Sequence, residues 1–322
     1  MEKNMDYTLM YRVAKAYYID QRTQQEIADV ENFSRSQVSR LLKRALEERL
    51  VTYKMDFPGL LDEAALADQL KERLHLDRVV LVPSFFTDYA QVSNRVICKN
   101  LAMGAAEKLP DILEDAEVVG VGWGRSVYTT SLNLKPQKPV PKQLFVPLIG
   151  YLGDSNPALQ INTIVDRFGQ CFNAARKYIN FPSLQILQSY DPKSSPLRAL
   201  YEKWETLDAA IVGIGAAPAN DPSLLKEFPA AYRKKVLDST ARGDILAQFF
   251  TADGGLIHID DSTSNVHLMA LELEKLKQVP NVIGMAAGTE KCQAITIAAK
   301  MGYIKTLITD YNTAQTIIDT KE

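Results

Sequence analysis

The sequence predicts a small α-helical head followed by a larger α/β domain on a mainly parallel sheet. Three observations predict it. Residues 1–57 show helical apolar periodicity in short stretches. From Asp77 onward, short branched apolar runs alternate with longer helical ones. At 322 residues, the chain has the length of about two domains. With 46% hydrophobic and 24% charged residues, the composition is globular, not disordered or collagenous. Three cysteines without a CxxC pair and only three histidines speak against a disulfide framework, a zinc knuckle or a multi-histidine metal site. No apolar run nears the roughly 20 residues that span a bilayer, and the opening MEKNMDYTLMYR lacks a signal-peptide core. A cytoplasmic protein with no membrane partner is expected.

In the head, residues 7–19 place Leu9, Val13, Ala16 and Tyr17, with Ile19 at the margin, near one side of a helix. After the break DQRT, Thr23 stands three residues before Glu26, the spacing of a capping box. The helix it starts contributes Ile27 and Ala28 to a core. Asn32 is the residue of the next turn suited to a left-handed backbone, since no glycine is present. Ser34 then reads as a second N-cap, before RSQVSRLLKRALEERL.

Val38, Leu41, Leu42 and Ala45 gather on one side of that last helix, which must pack on its predecessors. Opposite stand Ser36, Ser39, Arg40 and Lys43, with Gln37 and Arg44 at one edge of the stripe. Residues 34–44 hold four cations and no acid, although residues 1–60 balance ten Lys+Arg against nine Asp+Glu. Short hydroxyls, amides and cations hydrogen-bond to base edges and neutralise phosphates. A short turn followed by a polar, basic second helix is the helix-turn-helix arrangement. Ser36, Gln37 and Arg40 are assigned to bases, and Arg35, Ser39, Lys43 and Arg44 to the backbone, with Ser34 at the helix start. A merely solvated basic face is the alternative. Leu50, Val51 and Tyr53 supply the short alternating segment that a wing needs.

Pro58-Gly59 punctuates the chain, which places the domain boundary near residue 57. The helix that follows, through Leu61, Leu66, Leu70 and Leu74, fits a junction, a dimer contact or an outer helix of the second domain. Strands are expected at 79–83, 118–122, 144–149, 184–188, 209–215, 282–288 and 306–310. Helices are expected at 91–109, 159–179, near 196–204 and at 290–301. Continuously apolar strands are those covered by helices on both faces. The ligand site of such a sheet lies beyond the carboxyl ends of its strands.

Three glycine-bearing strand exits occur, at Gly120–Ser126, Gly213–Pro218 and Gly284–Lys291. None fits GxGxxG or GxxxxGK[ST], so neither a dinucleotide nor a nucleoside triphosphate is indicated and no cofactor is expected. In the first, Gly122 and Gly124 admit an anion close to backbone, Ser126 and Thr129 offer hydroxyls at a helix start, and Arg125 adds charge. The third adds Gly288 and Lys291. Tight strand-to-helix turns without a ligand are the alternative. Weaker candidates are Asp310, Thr309, Asn94, and Arg242 with Asp244. Trp123 suits a pocket wall or a plug at a lobe interface. His258 in a strand-like run, His267 in a helix and His75 in the linker helix read as structural.

Together these features resemble the SorC family of bacterial sugar-responsive transcriptional regulators. In the head the resemblance rests on Ser34 to Ala45. Beyond it, the match is carried by Gly122-Trp123-Gly124, Gly243-Asp244-Ile245 leading to Phe249-Phe250, Ala286-Ala287-Gly288 with Lys291, and Leu307 to Asp310. The resemblance implies a winged helix-turn-helix over residues 1–57. Residues 58–322 would form a Rossmann-like, phosphosugar-isomerase-like effector and oligomerisation domain without catalytic duty. The implied partners are double-stranded operator DNA near a carbohydrate operon, a small phosphorylated sugar effector, and further copies in a homodimer or homotetramer. Gly122, Gly124, Arg125 and Ser126 would hold the effector phosphate with Gly288 and Lys291, and Asp310 would face the ligand or its hydrogen-bond network. Ser126, Thr289 and Arg242 depart from the threonine, glycine and small apolar residue of the family pattern. Arg242 would suit a more anionic ligand. A sensor of a neutral sugar or small carboxylate is one competing reading. An isomerase-like enzyme is the other, and it would need an acid–base partner beside Asp244 or Asp310 that the sequence does not supply.

Overall fold

The computed structural model describes residues 2–48, 50–51, 63–84, 89–139, 142–151, 159–186, 195–258 and 266–320. The chain divides into two compact units, residues 1–60 and 61–322.

The first unit holds α1 (Glu2–Tyr18), α2 (Gln24–Glu31) and α3 (Arg35–Glu47). Thr23 and Glu26 close the expected capping box of α2, and Asn32 ends that helix at φ 58°, the left-handed turn the sequence requires. Ser34 and Gln37 form a second capping box at α3. Val13, Ala14, Ile27, Ala28, Val38, Leu42 and Ala45 make the small core. Each buried Val, Leu or Ile there contributes roughly 1.5–3 kcal/mol. Ile19 does not join it: α1 ends at Tyr18 and Ile19 is 69% exposed. Leu50 and Val51 fold back, both donating to the Ala45 carbonyl at 2.8 and 3.1 Å, and pack on this core. Tyr53, the remainder of the expected wing, lies outside the described residues.

The second unit opens with α4 (Glu63–Leu74), β1 (Arg78–Val82), α5 (Asn94–Ile112), β2 (Val118–Val121), α6 (Arg125–Asn133), β3 (Leu144–Pro147), α7 (Ile161–Cys171) and β4 (Ala175–Arg176). It continues through β5 (Leu184–Ile186), α8 (Ser195–Trp204), β6 (Ala209–Gly213), α9 (Ala230–Leu237), β7 (Ala241–Ile245), β8 (Gln248–Thr251), β9 (Leu256–Ile257) and β10 (Val266–Leu268). The last elements are α10 (Leu273–Leu276), β11 (Asn281–Met285), α11 (Cys292–Lys300), β12 (Thr306–Asp310) and α12 (Tyr311–Asp319). Helix α4 is an outer helix of this unit: Leu66, Leu70 and Leu74 enter its core, and Arg73 donates to the Ile318 carbonyl at 3.1 Å.

Seven strands form one sheet in the order β1-β12-β11-β6-β2-β3-β4. Every pairing in it is parallel. From β2 the chain proceeds to β3 and β4 on one side, and from β6 it proceeds to β11 and β12 on the other. The order therefore reverses between β2 and β6, which opens a crevice at their carboxyl ends. The sequence reading needs three corrections. Residues 184–186 leave the main sheet and pair antiparallel with β10, so His267 lies on a strand and not in a helix. The long helix expected to 179 stops at Cys171, where the chain turns into edge strand β4. Residues 241–257 form an antiparallel three-stranded sheet, β7-β8-β9, of which the sequence marks only the strand-like run at His258.

Candidate functional site

Two surfaces stand out, one in each unit. On α3, Ser36, Gln37, Ser39, Arg40 and Lys43 are exposed, opposite the buried Val38, Leu42 and Ala45. Ser34 and Gln37 do more than face outward. The Gln37 Oε1 accepts from the Ser34 backbone N–H at 2.8 Å and from its hydroxyl at 3.0 Å, while the Ser34 Oγ accepts from the Gln37 N–H at 3.2 Å. The Ser34 and Ser36 hydroxyls lie 2.9 Å apart. Only the amide NH2 end of Gln37 is left for a partner by this box. Arg44 is half-buried and pairs with Glu48 at 2.5 Å, and Lys43 lies 3.8 Å from Glu47. Arg35 lines an open groove with Arg22, Gln24 and Gln25, which the sequence reading had not assigned.

In the second unit, a cleft of 690 Å³ lies at the crevice between β2 and β6. It narrows to a recess of 100 Å³, with Arg125, Ser126, Ala216, Asp221 and Lys291 lining both. Gly124 occupies the N-cap of α6 at φ 138°, a conformation that L-residues rarely adopt, and no side chain caps this helix. Nothing lies within 4 Å of where a Gly124 Cβ would stand. The helix start is thus open to the recess, with its backbone N–H groups and positive dipole end. Ser126 is 7% exposed, and both its hydroxyl and that of Thr129 lie 3.9 Å from the Cys98 sulfur. Tyr128, Leu132 and Leu159 supply apolar wall. Trp123 lines the recess and donates its indole N–H to the Leu159 carbonyl at 2.8 Å.

The charges are unevenly matched. Arg125 pairs with Asp221. Burial pushes the Asp221 carboxyl up, but hydrogen bonds from Ser223 and the charges of Arg125 and Lys291 prevail and hold it below the ordinary range. Asp244 lines the recess, and burial pushes its carboxyl up to about 7 against the attraction of Lys291. Lys291 is half-buried, and its ammonium makes no hydrogen bond or ion pair among the described residues. Burial pulls its ammonium below the ordinary lysine value. A desolvated cation and an uncapped helix start both favour an anion electrostatically.

Four sequence candidates go elsewhere. Gly122 donates its N–H to the Ile211 carbonyl at 2.7 Å and packs against Leu246, so it tightens the sheet rather than facing the cleft. Gly288, at φ 124°, gives its N–H to Thr313 Oγ1 at 2.9 Å and lines neither cavity. Asp310 is fully buried: it caps α12 by accepting from the Thr313 N–H at 2.9 Å and accepts the Tyr89 hydroxyl. Arg242 donates to the carbonyls of Thr240 and Ala241 at 3.2 and 3.4 Å, away from the cleft. Conversely, Arg95, Cys98, Lys99, Asp221 and Glu290 line the cleft and were not singled out. Arg95 and Lys99 carried a usable signal, two cations four apart at a helix start with no acid between them. No group of three His, Cys, Asp or Glu suited to a metal occurs among the described residues, and no described helix is long and apolar enough to cross a membrane.

A helix-turn-helix head on a chain whose larger unit presents a small-molecule cleft at a topological switch point defines the class of ligand-responsive transcription regulators. Residues 60–319 match the family model described as "Putative sugar-binding domain". The sorbitol operon regulator of Klebsiella pneumoniae is 29% identical over 327 residues, covering 99% of this chain and all of that protein. The deoxyribonucleoside regulator of Bacillus subtilis is 28% identical, with 97% of each chain covered. The crystal structure of full-length SorC from Klebsiella pneumoniae superposes with a TM-score of 0.76 at 26% identity, over 98% of this chain and 99% of that one. The chain belongs to the SorC family of sugar-binding transcriptional regulators. It is a DNA-binding regulator of carbohydrate metabolism, and its relatives along their full length are regulators, not enzymes.

Proposed function

We propose that this regulator controls a carbohydrate-utilisation operon in response to a phosphorylated sugar bound at the β2–β6 crevice. One observation carries the reading: Lys291, half-buried and unpartnered, stands with buried Ser126 beside the uncapped start of α6. The phosphate sits against Gly124, Ser126 and Lys291, with Arg125 held alongside by Asp221, and the sugar carbons lie along Tyr128, Leu132 and Leu159. On α3, Ser36, Arg40 and the free amide end of Gln37 read bases, while Arg35, Ser39 and Lys43 hold phosphates. The protein works in the cytoplasm as a homodimer or homotetramer, so that two heads meet two half-sites of double-stranded operator DNA. Effector binding shifts how the heads engage those half-sites, and operator binding changes effector affinity by the same factor.

The test is a thermal-shift comparison of sugar phosphates with the same sugars unphosphorylated, using the whole chain. Stabilisation that needs the phosphate and disappears in Lys291→Ala supports the reading. Equal shifts by the neutral sugars would sink it. Titration of a palindromic DNA fragment at several salt concentrations tests the head, where affinity must fall steeply with salt.

A further inference from the structure

The phosphate site occupies one end of the cleft. Its other wall is the first turns of α5, where Asn94, Arg95 and Lys99 line the same space. Arg95 and Lys99 stand four residues apart and are both exposed, and neither side chain makes a hydrogen bond or ion pair among the described residues. Like charges at that spacing repel. They also lie at the positive end of a 19-residue helix that has no acid in its first turn and no side-chain cap from Ser93, a placement opposed by the helix dipole. The acids of the cleft do not offset them. Asp221 is tied to Arg125, and Glu290 acts on Lys291. Every local rule therefore places an anion, not a cation, at this wall. The cleft as a whole brings four cations, Arg95, Lys99, Arg125 and Lys291, against the two carboxylates of Asp221 and Glu290.

We infer that the effector carries a second anionic group, a phosphate or a carboxylate, held by Arg95 and Lys99 at the start of α5 while its first phosphate sits at Ser126 and Lys291. This rests on the reading of the cleft as a phosphosugar site. The ligand is then a short sugar or sugar-acid chain charged at both ends, and the apolar wall of Tyr128 and Leu132 covers the carbons between.

Titration calorimetry on the whole chain tests it with three probes: fructose 6-phosphate, fructose 1,6-bisphosphate and 6-phosphogluconate. At least one of the two-ended probes should bind about tenfold or more tighter than the monophosphate, the gain expected of an added charge-assisted contact. The bisphosphate and the sugar acid separate a second phosphate from a carboxylate. The double variant Arg95→Ala/Lys99→Ala should erase that advantage and leave fructose 6-phosphate within about twofold of its original affinity, because neither side chain touches the first phosphate. Equal binding of one-ended and two-ended probes overturns the inference, as does an advantage that survives the double variant. If none of the probes binds, or binding is indifferent to Lys291→Ala, the phosphosugar reading itself falls.

Discussion

The Gly124 and Gly288 turns look like siblings in sequence, each with a glycine followed by hydroxyl and cationic residues at a helix start. Their glycines differ in the fold, although Lys291 of the second turn lines the same cleft. At Gly124 the helix start is uncapped, the space where a side chain would stand is empty, and the turn opens on the recess. At Gly288 the N–H is taken by Thr313 and a Cβ would lie 2.7 Å from the Glu290 carboxylate, although the helix that follows has no side-chain cap either. Burial pushes the Cys292 thiol beside this turn up to about 12 and the Tyr89 phenol well above its usual value. Local sequence makes a turn able to bind an anion, and sheet topology decides whether it is left free to do so. β2 borders the switch point, whereas β11 lies one strand beyond it, between β6 and β12.

The comparison is easiest to break at Lys291. Lys291→Met should lower phosphosugar affinity by about tenfold or more, while the unliganded protein melts no lower than before, since a desolvated unpartnered ammonium is removed. A parallel loss of apo stability would make Lys291 structural. Next come the two glycines. Each alanine substitution meets a disfavoured backbone and should cost about 1–3 kcal/mol of stability. Only Gly124→Ala should also weaken ligand binding, as read by calorimetry on protein still folded at 25 °C. If both variants lose affinity alike, Gly288 itself, and not only Lys291 after it, serves the site.

Asp310→Ala should cost about 1–2 kcal/mol, the loss of a helix cap, with ligand affinity unchanged. Asp244 gives a pH signature. Its carboxyl is raised by burial to about 7, so between about pH 4 and 7 the folded protein keeps a proton that the unfolded chain has released. Stability therefore falls as pH rises through that window and levels above it. Melting temperatures of Asp244→Asn should show a flatter fall across the window, and matching pH profiles would remove Asp244 as its source.

The same contrast explains what was legible in the sequence. The head was readable in detail because capping boxes and the Val38, Leu42, Ala45 stripe are local. The parallel strands were readable because burial on both faces leaves an apolar run. The cleft was half readable. Ser126, Thr129, Arg125 and Lys291 follow strand exits, where ligand sites of such sheets are sought. Arg95, Cys98 and Lys99 reach it from a helix face that packs beside α6, and Asp221 from a loop beyond β6, through contacts that no short window encodes. Asp310 misled for a related reason. A carboxylate at a strand exit has the same sequence signature whether it greets a ligand or, as here, caps the next helix from inside the core.

The capping box at Ser34 and Gln37 constrains how operator recognition can evolve. The box uses only the side-chain oxygen of Gln37, and glutamate would serve the helix start equally well. Folding is therefore indifferent between the two residues, whereas a DNA groove is not, since glutamate replaces the amide donor with a negative charge. Mutational drift at this position passes unseen by stability and is filtered by the operator alone. One nucleotide change in the codon can thus alter which sites the protein occupies, leaving the fold that carries it untouched.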